Sequence, residues 1–228
     1  MSTPIRRDTV VSTLVTRISE DVLSGRYPPG SSLPPERVLA ASYGVTRTSL
    51  KHALVQLAQA GLVETKHGVG TLVRDYQELG GLELLPALLR LDPLRWGFEV
   101  FQARRQVGAL LAAEAARNGT VAQRTRLVEQ VAAVRAAENA DQAQLAELEF
   151  HRELASATGN RVYRLLSNAL FAAYLPVRGA LQGPFTNPAE AADRLEPLLK
   201  ALLAGDAKAA HAAAESYLHE TERLMLGA

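Results

Sequence analysis

No cysteine occurs in this chain of 228 residues, which excludes disulfide bonds and any catalysis by a thiol. Net charge is almost absent as well, with 25 Lys and Arg against 24 Asp and Glu, so overall charge does not indicate a nucleic-acid partner. The chain also lacks an apolar run long enough to cross a bilayer, and residues 1–7 lack the apolar core of a secretion signal. We therefore expect a cytoplasmic protein without a membrane partner.

The charge is distributed unevenly along the chain. Up to residue 75 there are nine Lys and Arg against six Asp and Glu, and beyond it there are 16 against 18. Hydrophobic residues make up 47% of the chain, enough for a core in each of two domains. We predict a DNA-facing domain over residues 1–75 and a second domain over residues 76–228 that does not touch DNA.

Two short helices joined by a tight turn are predicted after residue 33. Prolines 34 and 35 suit a first helical turn and predict a helix over residues 35–43. Gly44 permits the turn, and Thr46 is a good N-cap for a helix over residues 47–60. Leucines spaced i, i+4 and i+7 commit one face of this second helix to packing. Its exposed first turn then offers Arg, Thr and Lys side chains, which can pair with base edges and phosphates in a major groove.

A β-hairpin is predicted next. Residues 62–66 and 71–74 alternate like short strands, and the tip between them is His67-Gly68-Val69-Gly70. The glycines allow positive φ angles and a close approach to DNA, as in the wing of a winged helix-turn-helix. Each feature alone is explained by surface charge or an ordinary turn, but the ordered spacing of all three segments favours DNA binding.

Residues 10–75 resemble the DNA-binding domain of GntR-type bacterial transcription regulators. The resemblance implies binding to double-stranded operator DNA, and as a homodimer on a palindrome, because such domains are used as dimers. The residues implied in DNA binding are Arg37, Thr46, Arg47, Thr48, Ser49, Lys51, His67, Gly68 and Gly70. Lys51 departs from the arginine common in the fatty-acid branch of the family, so it keeps a phosphate contact but loses bidentate base reading.

Beyond the hairpin the chain is rich in Ala and Leu, with turns marked by Pro, Gly and Asn, which predicts an all-α helical bundle. The fold class is therefore mainly α, with an N-terminal winged helix-turn-helix and a C-terminal helical bundle. The predicted helices cover residues 76–90, 94–117, 121–139, 141–158, 161–181, 188–203 and 206–226.

Residues 145–160 and the pair Gly205-Asp206 resemble the effector domain of the FadR subfamily. That resemblance implies a ligand-responsive transcription regulator, such as a repressor, and its fatty-acid-responsive branch binds acyl-CoA or a fatty acid without a metal. It implies Arg104 as the receptor of an anionic group and Tyr217 and Thr221 as hydrogen-bond donors. The structural alternative is that Tyr217 is a core residue and that Arg104 pairs with a carboxylate of the bundle.

Many other members of the subfamily bind a divalent metal through an acid and a histidine four residues apart, together with two later histidines. Glu147 and His151 have this spacing and are the candidate ligands. The later positions correspond to Leu195 and Tyr217, which are poor ligands, and the other two histidines of this domain lie off them. The sequence thus favours a regulator that requires no cofactor, and the alternative is a metal-dependent regulator that responds to small carboxylates.

Two further function classes are disfavoured. No nucleophile, base and orienting group form a recognisable catalytic set, so an enzyme is not expected. An architectural DNA-binding protein without an effector is also disfavoured, because the second predicted domain is about twice as long as the first.

Overall fold

The computed structural model describes residues 7–66 and 68–227, apart from the side chains of residues 7–9 and 94. It contains two compact units, and the boundary between them falls between Pro93 and Leu94. The predicted fold class is confirmed, since one unit carries a helix-turn-helix with a two-stranded hairpin and the other is helical. Within the described residues, no helix is both long and apolar enough to cross a membrane.

The N-terminal unit begins with a helix that was not predicted, α1 (Arg7–Leu23). Its apolar side chains recur every three or four residues, and Val11, Leu14, Ile18 and Val22 are buried. The helix packs against the later helix over Arg47–Gln59. The spacing is visible in the sequence, so hydrophobic periodicity alone could have identified α1.

The helix-turn-helix consists of α2 (Glu36–Ser42) and α3 (Arg47–Gln59), close to their predicted bounds. Gly44 has a φ of 65°, which explains why glycine occupies the turn between them. Thr46 caps α3, because its hydroxyl accepts a hydrogen bond from the Ser49 amide at 3.1 Å. The apolar face of α3 is buried, as predicted.

The hairpin pairs β1 (Val63–Lys66) with β2 (Gly70–Val73) in antiparallel register, and Lys66 lies opposite Gly70. A bridge between Ser32 and Leu72 attaches the chain before α2 to the outer side of β2. The hairpin is thereby fixed to the helix-turn-helix in the arrangement of a wing.

The segment after the wing lies with the N-terminal unit, although the sequence placed the domain boundary at residue 75. It forms α4 (Tyr76–Leu79), a 3₁₀ turn and α5 (Leu85–Leu91), and α5 packs on α1. A side chain at Gly61 would collide with the Leu79 carbonyl, so α4 approaches the end of α3 as closely as glycine allows. The prediction of one helix over residues 76–90 is wrong, because extended backbone at Gly80 and Gly81 interrupts it.

In the described part of the chain, the C-terminal unit is a bundle of six α-helices. Their bounds are close to those predicted, except that the second ends at residue 135 rather than 139 and the fourth ends early. These helices are α6 (Pro93–Asn118), α7 (Val121–Arg135), α8 (Ala140–Ala157), α9 (Arg161–Tyr174), α10 (Pro188–Ala204) and α11 (Ala207–Leu226). Helix α9 ends before Pro176 rather than at residue 181, because Pro176 has no amide hydrogen to donate to the carbonyl four residues earlier. Two 3₁₀ turns, Arg178–Ala180 and Gly183–Phe185, follow it.

The bundle core is apolar and fully enclosed. Phe150 and Leu154 of α8 and Leu195 and Leu198 of α10 are each at most 2% exposed. A few polar side chains lie in the same interior, among them Glu147 at 2% exposure and Thr221 at 0%. Since burying polar groups in such an interior is costly, their contacts locate the candidate site in this unit.

Candidate nucleic-acid interface and effector site

The first turn of α3 presents its polar side chains outward. Arg47, Thr48 and Lys51 are exposed, as is Arg37 on α2. Arg47 is 63% exposed, and its guanidinium lies 3.8 Å from the Glu36 carboxylate. Such an exposed ion pair is weak, so Glu36 can orient Arg47 without removing it from an incoming base or phosphate.

Thr46 and Ser49, also predicted to bind DNA, have a structural task as well. Besides the amide contact of the cap, their hydroxyl oxygens lie 3.0 Å apart. Thr46 is exposed and Ser49 is half-buried, so Thr46 has the greater access to a ligand. Together they fix the direction in which α3 begins, and with it the position of Arg47.

The wing tip has the backbone that its glycines predict. Gly68 and Gly70 have φ angles of 77° and 112°, and the Val69 amide donates to the Lys66 carbonyl at 3.1 Å. His67, the remaining predicted wing residue, lies outside the described residues. Lys66 is about half exposed at the base of the tip, so the wing presents a cation beside an accessible backbone.

Acidic side chains limit the cations available on this face. Arg74 donates to the Glu64 carboxylate at 2.6 Å, and Lys66 lies 3.6 Å from the same carboxylate oxygen. The charge of Arg74 is therefore partly neutralised. Lys51, in contrast, is exposed and forms no ion pair with the described residues.

In the C-terminal unit, three polar side chains contact one carboxylate oxygen. Oε1 of Glu147 on α8 accepts from the Tyr217 hydroxyl at 2.9 Å and from Arg104 Nη2 at 3.0 Å. Nε2 of His151 lies 2.7 Å from the same oxygen. Arg104 also donates from Nη1 to the Thr221 hydroxyl at 3.3 Å. We call Arg104, Glu147, His151, Tyr217 and Thr221 the polar cluster.

The cluster brings together side chains that the sequence proposed for two different sites. Arg104, Tyr217 and Thr221 were the candidate effector residues, while Glu147 and His151 were the candidate metal ligands. They come from α6, α8 and α11, and Arg104 and Thr221 are 117 positions apart in the sequence. Both structural alternatives also hold, because Arg104 pairs with a bundle carboxylate and Tyr217 is a buried core residue.

The electrostatics of the polar cluster keep Glu147 ionised and Tyr217 neutral. Burial by itself raises the pKa of Glu147, but the charge and hydrogen bond of His151, with the charge of Arg104, outweigh it and lower the pKa to about 2. Burial, and then the charge of Glu147, raise the pKa of Tyr217 well above its ordinary value. Tyr217 is therefore a neutral donor to an anionic acceptor.

Gln144 continues the polar face of α8 and was not among the residues predicted from the sequence. Its Nε2 lies 2.9 Å from the Tyr174 hydroxyl. Burial, and then the charge of Glu147, raise the pKa of Tyr174 well above its ordinary value. The i, i+3, i+7 spacing of Gln144, Glu147 and His151 was the available signal in the sequence.

The residues present do not fit a divalent metal. The Arg104 guanidinium lies on the acid and histidine that would bind it, 3.0 Å from Glu147 Oε1 and 3.5 Å from His151 Nε2. Leu195 is apolar and fully buried, and Tyr217 keeps its proton as a donor to Glu147. Between residues 7 and 227, His67 aside, no three His, Cys, Asp or Glu side chains form a metal-binding group.

Comparison with protein families gives two matches, one in each half of the chain. The model for bacterial regulatory proteins of the gntR family matches residues 11–73. The model for the FCD domain matches residues 99–220. The first range contains the helix-turn-helix and the wing, and the second contains the polar cluster except for Thr221, which is the next residue after it.

Curated relatives carry regulator names. An uncharacterized HTH-type transcriptional regulator of Mycobacterium tuberculosis is 35% identical over 223 residues, which cover 98% of this chain and 92% of that protein. The HTH-type transcriptional regulator Mce2R of the same species is 34% identical, over 94% of this chain and 91% of its own length. The fatty acid metabolism regulator protein of Serratia proteamaculans is 34% identical, over 70% of this chain and 67% of its own length.

Solved structures share the fold at low sequence identity. The Lar regulator of Listeria monocytogenes superposes with a TM-score of 0.61 at 16% identity, covering 99% of this chain and 98% of its own. Streptococcus agalactiae GntR superposes with a TM-score of 0.53 at 23% identity, covering 93% and 99%. At these identities the likeness concerns the fold alone.

Proposed function

We propose a function for this chain from its family, since it belongs to the GntR family of bacterial regulatory proteins, in the FadR subfamily. The chain binds a palindromic operator as a homodimer and responds to a fatty acyl-CoA-like effector. The family and its curated relatives are transcription regulators rather than enzymes. The helix-turn-helix is accordingly a DNA-binding domain, and the FCD domain is an effector domain. Operator symmetry, dimerisation and the effector are the parts that we propose.

In the proposed complex, the outward side chains of α3 enter the major groove. Arg47 reads a guanine edge, and Arg37 and Lys51 contact phosphates or neighbouring bases. Thr48 supplies a hydroxyl from the same exposed turn. Gly68 and Gly70 let the wing backbone approach the adjacent groove. The exposure of all these residues on one domain supports the assignment.

The modest charge of one DNA-binding domain supports the proposed dimer. Its excess of three positive charges up to residue 75 supports only weak attraction to DNA. Two domains on one palindrome add their contacts, because the second binds at a high effective concentration. Dimerisation therefore converts a weak contact into operator recognition.

The observation that carries the effector proposal is the polar cluster inside an apolar bundle. Arg104 is 21% exposed, whereas Glu147 behind it is 2% exposed. An anionic group arriving from the open side meets the guanidinium first. The hydroxyls of Tyr217 and Thr221 lie beside it and donate to Glu147 and to the Leu218 carbonyl, so either one serves the effector by exchanging that bond. Such a convergence of a cation and hydroxyls in an apolar interior suits the polar end of a lipid-like ligand. The relatives named as fatty acid metabolism regulators support an acyl chain at the other end.

We propose that the effector acts without a metal. Arg104 already supplies the positive charge that a buried carboxylate requires. The metal-dependent alternative needs the acid and histidine to be free, and here both contact the guanidinium. A carboxylate or phosphate of the effector would bind Arg104 directly.

Control of DNA binding requires that the effector favour one of two arrangements of the paired DNA-binding domains, since binding shifts an equilibrium only by differential affinity. The covalent route between the two units is short. Helix α5 packs on α1, and α6, which carries Arg104, begins two residues after α5 ends. We propose that the segment from α4 to α5 transmits the change.

Thermal denaturation of the full chain tests the effector. We expect dodecanoyl-CoA to raise the melting temperature, since a ligand of the native state stabilises it, and Zn²⁺, Ni²⁺ and small carboxylates to leave it unchanged. Arg104→Ala should abolish the shift. Arg105→Ala is the matched control, because Arg105 is the next residue, is similarly buried and pairs with Glu222 instead. A shift caused only by metal with a carboxylate, and lost in His151→Ala, would refute the metal-free proposal.

A further inference from the structure

The buried face of α8 carries one more polar side chain than the proposed effector site uses. Gln144 lies one turn before Glu147 and is 0% exposed. Residues at i and i+3 share a helix face, so Gln144 extends the polar cluster along α8. A fully buried amide in an apolar bundle is costly unless all its polar atoms have partners.

The orientation of the Gln144 amide is fixed by its neighbours. Nε2 donates to the carbonyl oxygens of Arg178 and Leu181, each at 3.0 Å. Since a carbonyl oxygen can only accept, the amide cannot be reversed without losing both bonds. Oε1 is therefore an acceptor, and it is buried with no donor among residues 7–66 and 68–227.

Arg194 on α10 presents the complementary atom. It donates from Nη2 to the Pro184 carbonyl, whereas its Nε is buried without an acceptor in the described part of the chain. The residue that follows Arg194 on α10, Leu195, is 0% exposed in the bundle core. One unpartnered acceptor and one unpartnered donor are thus present in the same interior.

Both side chains hold the same stretch of backbone, residues 175–187, which we call the strap. Gln144 binds the strap at Leu181, and Arg194 binds it at Pro184, three residues later. Phe185, at 1% exposure, anchors the strap in the core. The two side chains that carry the unpartnered atoms therefore hold one well-anchored strap, and Gln144 lies one helical turn from the polar cluster.

We propose that the effector site extends along the strap to Gln144 and Arg194, where hydroxyls or secondary amides of the effector donate to Gln144 Oε1 and accept from Arg194 Nε. This rests on the proposed function, in which the anionic group of the same effector binds Arg104. Hydroxyls and secondary amides fit because each both donates and accepts hydrogen bonds. An alkyl chain without such a group leaves both protein atoms unpaired and loses affinity.

Calorimetric titration of the full chain with two pairs of ligands tests the extension. β-Hydroxydodecanoate and dodecanoate differ by a hydroxyl, while dodecanoyl phosphopantetheine and dodecyl phosphate differ by an arm that contains amides. We expect the member with the donor and acceptor group to bind roughly tenfold tighter in at least one pair. The pair that shows the preference identifies the source of the group.

Arg194→Lys removes the Nε donor and keeps a cation for the Pro184 carbonyl. We expect this variant to lose most of the preference within the discriminating pair while binding the plain ligand as the wild type does. Arg135→Lys is the control, because Arg135 pairs with Asp193 at the surface and lies outside the strap contacts. It should keep the preference.

Two results would overturn the extension, and they are distinguishable. Equal affinities within both pairs would mean that Gln144 and Arg194 hold a resident water only, while the effector site at Arg104 stands. No binding of any of the four ligands would instead refute the proposed class of effector, and the extension with it.

Discussion

At the scale of single residues, the FCD domain depends on one buried carboxylate. Glu147 is 2% exposed and carries a negative charge that is balanced by Arg104, with His151 in hydrogen-bond contact. Removing any partner from such a group leaves a charge in an apolar interior, which is strongly destabilising. The same pairing holds Arg104 in the place where an anionic effector would meet it.

Because the pKa of Glu147 is lowered in the folded state, the FCD domain becomes less stable in acid. Its folded-state pKa is about 2 against an ordinary value of 4.5, so the stabilisation is complete above 4.5 and is lost as the pH falls towards 2. We expect this group to lower the free energy of unfolding by about 1.4 kcal/mol per pH unit in that window. Urea denaturation between about pH 5 and about pH 3 measures it. Glu147→Gln should show a shallower pH dependence, and parallel curves would contradict the assignment.

Arg47 is the residue for which we expect the largest effect on operator affinity. Arg47→Ala should weaken operator binding by about 1–3 kcal/mol, because a bidentate contact to guanine is lost. Fluorescence anisotropy at fixed salt measures the change. Arg117→Ala is the matched control, because Arg117 is 57% exposed, is also ion-paired and lies in the other unit. Equal losses in the two variants would indicate a general charge effect rather than base reading.

At the scale of elements, helix ends decide how the bundle is joined. Arg124 of α7 donates to the carbonyls of Ala116 and Gly119 at the end of α6, at 3.0 and 3.3 Å. It also donates to the Leu203 carbonyl at the end of α10, at 2.8 Å. Carbonyls at helix C-termini lack partners within their own helix, so one guanidinium satisfies the ends of two helices.

Replacement of Arg124 should therefore destabilise the C-terminal unit. We expect Arg124→Ala to lower the free energy of unfolding by about 2 kcal/mol, since several charge-assisted hydrogen bonds are lost together. Arg126→Ala, two residues along the same helix, removes an exposed pair with Glu153 and should cost less than about 1 kcal/mol. Chemical denaturation followed by circular dichroism compares the two. Similar losses would show that the carbonyl contacts contribute no more than a surface ion pair.

At the scale of the whole molecule, function requires two units with different tasks. The N-terminal unit carries the outward cations, and the C-terminal unit carries the buried polar cluster. The two compact units are joined through the short connection between α5 and α6. The proposed homodimer would add a second set of DNA contacts, because one DNA-binding domain supplies few.

Dimeric recognition predicts how affinity depends on operator symmetry. We expect a palindrome with half-sites about one helical turn apart to bind at least about tenfold more tightly than a single half-site. Anisotropy titrations on the two duplexes, with sedimentation of the complex, measure affinity and stoichiometry. Equal affinity for both duplexes with one chain bound would refute the homodimer.

The sequence by itself determined the local elements of the DNA-binding domain. Gly44, Thr46 and the glycines of the wing tip each fix a turn or a cap through their own backbone preferences, so their spacing is readable without a partner. The tertiary structure alone placed α5 with α1 and assembled Arg104, Glu147 and Thr221 from three helices. It also revealed that Gln144 and Arg194 bind the backbone of the strap. Contacts between residues as far apart as 117 positions depend on how helices pack, and no local pattern encodes that packing.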